Sequence, residues 1–279
     1  MNFRRPMETL QAIDALLEGK TEKKRAYLGI SYAGEKCDRF IWLTFRWASV
    51  ECKSGRILRL LRRGQREEAE IIRLLRSVGV KVTDTGRNQC LVTLTPWVQG
   101  HPDGIIRSGL KESPANVHIL EMKTSNDKAW QELSKNGVQA AKPVHYAQMQ
   151  LYMLGKNIER SFYWNVNKNN DDVYTERIYI DRPFAVKLLT RVTALSLETH
   201  LPAPLSKLPS WYECKTCPMW GICHNHEKPQ KSCRTCEHGI FNADGTFTCN
   251  LDGRELSTRM QGKACKDYKI HYDLEALWT

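Results

Sequence analysis

The sequence predicts an α/β fold with a small cysteine-rich module at its C-terminal end. Two observations lead there. Stretches of helical period alternate with short stretches of strand period, in the order helices, three strands, two helices, two strands. Of the ten cysteines, seven fall after residue 213, in CxxC-type spacings rather than scattered. A chain of 279 residues is long enough for one main domain with a real core plus an appendage. The divisions expected are residues 1–27, a helix with a basic connection; 28–227, the main domain; and 228–279, the module.

Lysine and arginine number 42 against 31 acidic residues, giving a net charge of +11 and a pI near 9.2. That balance favours an anionic partner, with nucleic acid first among them, although a basic enzyme without such a partner would also show it. The opening Met1-Asn2-Phe3-Arg4-Arg5-Pro6 is not followed by the apolar segment of a signal peptide. No window has the uncharged length of a membrane span. A cytoplasmic location without membrane contact is therefore expected, and there metal binding by cysteines is favoured over disulfides.

Residues 6–17 have an amphipathic helical pattern (Leu10, Ile13, Leu16, Leu17) ended by Gly19, and residues 20–25 are a charged connection. After a short extended stretch at 27–31, Cys37 opens a helix reaching about Trp47. Residues 55–78 are strongly helical, with Gly79 as C-cap. On that helix Ile57, Leu61, Gly64, Glu68, Ile71, Ile72 and Leu75 share one face, which sets Glu68 within an apolar stripe. A carboxylate so placed is costly unless paired or bound to metal. Arg56, Arg59, Arg63 and Arg66 form a second stripe, either a phosphate-neutralising row or a solvated face. Cys52 and Cys90 lack a spacing partner and read as ordinary thiols.

Strands are expected at 80–83 and 90–95, leading through Trp97 to Gly100-His101-Pro102-Asp103-Gly104. A polar loop at 108–116 joins this to the strand Val117-His118-Ile119-Leu120-Glu121-Met122-Lys123. Period two puts Glu121 and Lys123 on one face and Met122 on the other. Asp103 and Glu121 would offer hard oxygen ligands to Mg²⁺. Lys123 would orient or deprotonate an attacking water and stabilise developing negative charge. The plain alternative is a surface salt bridge on a hairpin. A helix follows through Trp130 and Leu133, then one opened by Pro143 in which Gln148 and Tyr152 lie on one face. Gln150 is out of phase with them; His145, three residues before Gln148, reads as a plain surface histidine, with a place lining the same groove as the alternative. Paired strands at 161–166 and 173–180 and a helix at 181–200 complete the domain.

In this order, Pro102-Asp103, Glu121-x-Lys123 and Gln148-x3-Tyr152 resemble the PD-(D/E)XK nuclease superfamily, specifically its RecB-like branch. That branch includes the CRISPR adaptation nuclease and phage recombination exonucleases. The resemblance implies a restriction-endonuclease-like core, a central mixed sheet flanked by helices. It also implies Mg²⁺- or Mn²⁺-dependent DNA cleavage, here of the phage exonuclease type and hence in a host cytoplasm. It casts Asp103 and Glu121 as metal ligands, Lys123 as the water-activating group and Glu68, in Gly64-x3-Glu68, as an assisting acid. It gives Gln148 and Tyr152 contact with DNA or with the active site. Gln65 stands where some members of the branch carry a metal-binding histidine, leaving the number of metals open. Two rivals stay in view, a catalytically silent DNA-binding or regulatory protein on the same fold and an RNA-processing nuclease.

Cys214-x2-Cys217-x5-Cys223 supplies three thiolates and needs a fourth ligand. The resemblance implies a [4Fe–4S] cluster completed by the upstream Cys37. Zn²⁺ is the alternative, with His224 or His226 able to stand in for Cys37. Cys233-x2-Cys236, Cys249 and Cys265 form a second set of four that looks like a zinc-ribbon module. That module would dock DNA or a recombination or replication protein, or simply stabilise the C-terminus.

Overall fold

A computed structural model describes residues 8–19, 24–49 and 53–277. Cys52, and the first two residues of the expected N-terminal helix, lie outside them. The helices are α1 (Glu8–Glu18), α2 (Asp38–Phe45), α3 (Gly55–Ser77), α4 (Asp127–Ala141), α5 (Pro143–Lys156) and α6 (Arg182–Leu197), with four short ones, α7 (Tyr212–Lys215), α8 (Trp220–His224), α9 (Thr258–Gln261) and α10 (Tyr272–Glu275). The strands are β1 (Leu28–Gly29), β2 (Lys81–Thr83), β3 (Val92–Thr95), β4 (Val98–Gly100), β5 (Gly104–Ser108), β6 (His118–Ser125), β7 (Arg160–Asn167), β8 (Val173–Tyr179), β9 (Gly239–Phe241) and β10 (Phe247–Cys249).

Five strands form a mixed central sheet in the order β2-β5-β6-β7-β8. Every neighbouring pair is antiparallel except β6 and β7, which run parallel from Ile119↔Ser161 to Ser125↔Asn167. A parallel pair needs a long crossover, and α4 and α5 provide it. Within α4, Gly137 takes a positive φ of 73°, which breaks the helix and lets the next amide, of Val138, donate to Glu176 Oε2 at 2.8 Å. A three-stranded sheet, β1-β4-β3, adjoins, and β9 with β10 makes a hairpin in the C-terminal region.

Side-chain alternation on β6 divides the core in two. Leu120 and Met122 pack with Phe162, Val166 and the α3 residues Ile71, Ile72 and Leu75 on one face. Ile119 and Tyr163 pack with Leu133, Met149, Leu188 and Val192 of α4, α5 and α6 on the other. The chain is thus a mixed α/β sheet flanked by helices on both faces.

Two expectations are corrected in detail. The apolar stripe of α3 is buried against the sheet only in its C-terminal half; Leu61 is 45% exposed, in the N-terminal half that meets α1 instead. The basic stripe is not a free row of charge either. Arg59 pairs with Asp14, and Arg63 donates to the Lys168 carbonyl at 3.1 Å and lies 3.7 Å from Glu67. The C-terminal segment also shares a core with the rest of the chain, since Phe241, Phe247 and Leu256 belong to the same hydrophobic cluster as Phe45, Trp97 and Met149. No described helix is long and apolar enough to cross a membrane.

Candidate active site

Antiparallel pairing sets Gly104 of β5 opposite Leu120 of β6, so the residue just before β5, Asp103, arrives beside the middle of β6. There the Met122 amide donates to Asp103 Oδ2 at 2.7 Å, which fixes the carboxylate. Glu121, the central residue of the strand, is fully buried. Lys123, two residues on and partly exposed, forms an ion pair with Glu121 and lies 3.9 Å from Asp103 Oδ2. Although the ammonium abuts it, neither Glu121 oxygen receives a well-directed hydrogen bond.

The electrostatics follow from burial. Loss of solvent, together with the charge of Asp103, pushes the Glu121 carboxyl well above the usual range against the pull of Lys123. Burial works against the Lys123 charge, but Glu121 and Asp103 outweigh it and hold the ammonium firmly protonated. Glu68 reaches the same neighbourhood from α3, half-buried, and burial followed by repulsion from Asp103 raises it to about 7. The structure therefore brings Asp103, Glu121, Lys123 and Glu68 into one mutually interacting group.

Gln148 and Tyr152 do stack on one face of α5, with Gln148 Nε2 donating to Tyr152 Oη at 3.4 Å. The charges of Glu121, Asp103 and Lys123 reach the Tyr152 hydroxyl, which lies beside the site rather than at an open surface. Both are buried, Tyr152 only 2% exposed, and the Tyr152 hydroxyl donates to the His101 carbonyl at 2.9 Å. The pair is a strut beneath the loop that carries Asp103. Gly100, at the foot of that loop, is where a Cβ would meet Tyr152 Oη at 2.9 Å. Gln150, out of phase, braces a different place: its amide donates to the Tyr179 carbonyl and accepts from the Asp181 amide.

His145 is corrected as well. It is no surface histidine but a partly buried ring whose Nδ1 lies 2.9 Å from Tyr163 Oη. Asn165 Nδ2 donates to the same hydroxyl at 3.2 Å and to Ser125 Oγ at 3.0 Å. In the parallel register Tyr163 stands beside Glu121 and Asn165 beside Lys123, so this buried chain backs the whole Glu-x-Lys segment. Burial and then Lys123 lower His145 to about 3, keeping it neutral. The alternation Tyr163-x-Asn165 at strand period was the available signal, but only the parallel pairing gives it meaning.

Distant segments bring the two cysteine sets together. Cys37, N-cap of α2, Cys214, Cys217 and Cys223 line one cavity with Arg39, Met219 and His224. The sulfurs of Cys37 and Cys217 accept from the amides of Phe40 and Met219, both at 3.4 Å. Burial raises the Cys223 thiol to about 11 despite Arg39. Cys233, Cys236, Cys249 and Cys265 line a second cavity with His238. All nine described cysteines are free thiols. Among the described residues no three or more His, Cys, Asp or Glu side chains are already arranged as a closed metal site.

The donor sets nonetheless suit metals. A fully buried carboxylate whose charge is met by a single lysine, with a second carboxylate fixed beside it, suits a hard divalent cation. Four thiols lining one cavity, Cys214 buried and Cys37, Cys217 and Cys223 half-buried, suit a soft ion or cluster, and the two amide–sulfur bonds suit a thiolate that carries metal.

No protein-family model matches the sequence, and no curated protein matches it. Among solved structures the chain is similar to the crystal structure of SSO0001, with a TM-score of 0.46 and 14% identity over 79% of this chain and 97% of that one. It is also similar to LHK-Exo, an alkaline exonuclease from Laribacter hongkongensis, with a TM-score of 0.43 and 17% identity over 66% of this chain and 90% of that one. The complex of LHK-Exo with dAMP gives a TM-score of 0.43 and 16% identity over the same shares. At these scores the likeness decides nothing about chemistry, which rests on the residues above.

Proposed function

We propose that the chain is a divalent-metal-dependent deoxyribonuclease that hydrolyses phosphodiester bonds, acting as an exonuclease in phage-type recombination or DNA processing. The observation that supports it most is the grouping of a fully buried Glu121, ion-paired with Lys123, with Asp103, which lies 3.9 Å from the same ammonium. A salt bridge kept for stability alone is poorly served by such burial, because desolvation offsets most of the Coulomb gain. Asp103 and Glu121, assisted by Glu68, would hold Mg²⁺ or Mn²⁺, which supplies Lewis-acid charge at a phosphate and a more acidic bound water.

The chain's own groups do the rest. Lys123, held protonated, places positive charge where the phosphate gains negative charge and positions the attacking water. Tyr152 and Gln148 keep the His101–Asp103 segment in place through the His101 carbonyl. Tyr163 and Asn165 hold the neighbouring strand edge rigid behind Glu121 and Lys123. The net charge of +11 favours a polyanionic substrate. Preference for free ends rests on the family resemblance alone.

Cys37, Cys214, Cys217 and Cys223 would hold a [4Fe–4S] cluster, with zinc as the alternative, clamping α2 to the end of the nuclease domain. Incubating the protein with end-labelled linear DNA, closed circular DNA and RNA, with Mg²⁺ or Mn²⁺, tests the reading. Loss of label from linear DNA with circular DNA intact is expected. Degradation of RNA alone would shift the substrate, and no hydrolysis of any of the three would leave a DNA-binding protein.

A further inference from the structure

Arg234 is a guanidinium buried to 2% exposure in the heart of the molecule. Its Nη1 donates to the Phe45 carbonyl at 2.7 Å, Nη2 to the Ala26 carbonyl at 2.6 Å and Nε to Gln261 Oε1 at 2.8 Å. Aromatic rings surround it, Trp47 at 4.0 Å, Phe45 and Phe241 both at 5.0 Å, and Trp97 at 5.9 Å. Cation–π contact and three carbonyl-type acceptors replace the missing water, which makes the arrangement favourable only while the guanidinium is held inside it.

The cage joins three parts of the chain. Ala26, Phe45 and Trp47 come from the N-terminal part, and Phe241 comes from the C-terminal hairpin. Trp97 stands at the corner before β4, where its indole Nε1 donates to the Asn242 carbonyl at 2.6 Å. Val98–Gly100 then runs directly into His101-Pro102-Asp103. Whatever fixes Arg234 therefore fixes the strand that delivers Asp103.

What could fix it is visible on either side. Arg234 lies within a single 3₁₀ turn, Cys233–Thr235, between Cys233 and Cys236. Those two cysteines line one cavity with Cys249, at the end of β10, and Cys265, in the loop after α9. The elements bearing the four thiols are one three-residue strand, a 3₁₀ turn and loops, too short to hold their own geometry. We propose that Cys233, Cys236, Cys249 and Cys265 bind one zinc ion, and that this ion holds Arg234 in the aromatic cage and so braces β4 beneath the candidate active site. Four thiolates suit a closed structural zinc site, and metal binding of this kind supplies folding energy to a segment with little core of its own.

The test does not depend on the nuclease reading, because it reads metal content and stability of the full chain. Cys249→Ser and Cys265→Ser proteins should each contain one zinc equivalent less than wild type. Arg234→Met should keep that zinc, yet melt lower by more than about 5 °C and show altered tryptophan fluorescence from Trp47 and Trp97. Where the serine variants do not fold, a mercurial titration of wild type replaces them, with modified residues mapped by mass spectrometry. Zinc should then leave in step with modification of Cys249 and Cys265. Unchanged zinc in the serine variants, zinc retained after those thiols are modified, iron in place of zinc, or wild-type melting of Arg234→Met would each overturn the proposal.

Discussion

His145 sits neutral beside Lys123, and its lowered pKa, near 3, makes a pH prediction with a definite sign. The unfolded chain takes up a proton at this histidine near the ordinary value of about 6.5, whereas the folded chain does not until far lower. Stability linked to it is complete above that value and falls as pH drops, by up to about 1.4 kcal/mol per unit. Glu68 and Glu121 act the opposite way, since raised carboxyls favour the folded state as they protonate. Urea unfolding of wild type and His145→Gln at several pH values between 4 and 8 isolates the histidine, and the gap between them should narrow toward acid. A gap independent of pH would mean that His145 is as solvated as the sequence alone suggests. At this scale Glu121 and Lys123 were legible because period two along one strand gives their shared face, and Asp103 because it stands just before the preceding strand. His145 was not, because its burial depends on Tyr163, a residue brought beside Glu121 only by the parallel pairing.

Among the elements, α5 and β4 carry the most specific expectation. Tyr152→Phe removes the donor to the His101 carbonyl and should cost about 1 kcal/mol, read as a lower urea midpoint with an unchanged slope. It should also slow hydrolysis, because the Asp103 loop loses its strut. Gly100→Ala, which presses a methyl group against Tyr152 Oη and Ile30, should act in the same direction and add little to Tyr152→Phe in the double variant. Full additivity would show that the two do not share the strut. Helix α3 was readable within a residue, at 55–78 against Gly55–Ser77, whereas the helix expected at 181–200 stops at Leu197. Which half of α3 would be buried was not readable, since that is set by which half meets the sheet.

At the scale of the molecule, one cysteine-lined cavity ties Cys37 to the 214–223 segment, and a second gathers Cys233, Cys236, Cys249 and Cys265. Cys37→Ser should lower iron or zinc content and melting temperature together, because the first cavity joins α2 to α7 and α8. Wild-type metal content and melting would make Cys37 a bystander. Grouping the cysteines was possible from spacing, but the C-terminal region was read as an appendage. Its Phe241 and Phe247 pack in the same hydrophobic cluster as Phe45 and Trp97, a contact between distant segments that no local pattern announces.

If Asp103, Glu121 and Lys123 form a metal-dependent phosphodiesterase site, as proposed, Glu121→Gln should disable it. The substitution keeps the shape and removes the buried negative charge that pairs with Lys123 and would bind the cation. Several kcal/mol of charge stabilisation are at stake, so Mn²⁺-dependent release of nucleotides from end-labelled DNA should fall at least about 100-fold. The folded state should persist, since the neutral amide lifts the cost of burying the carboxylate. Undiminished cleavage by a folded Glu121→Gln protein would contradict the account and place the chemistry elsewhere.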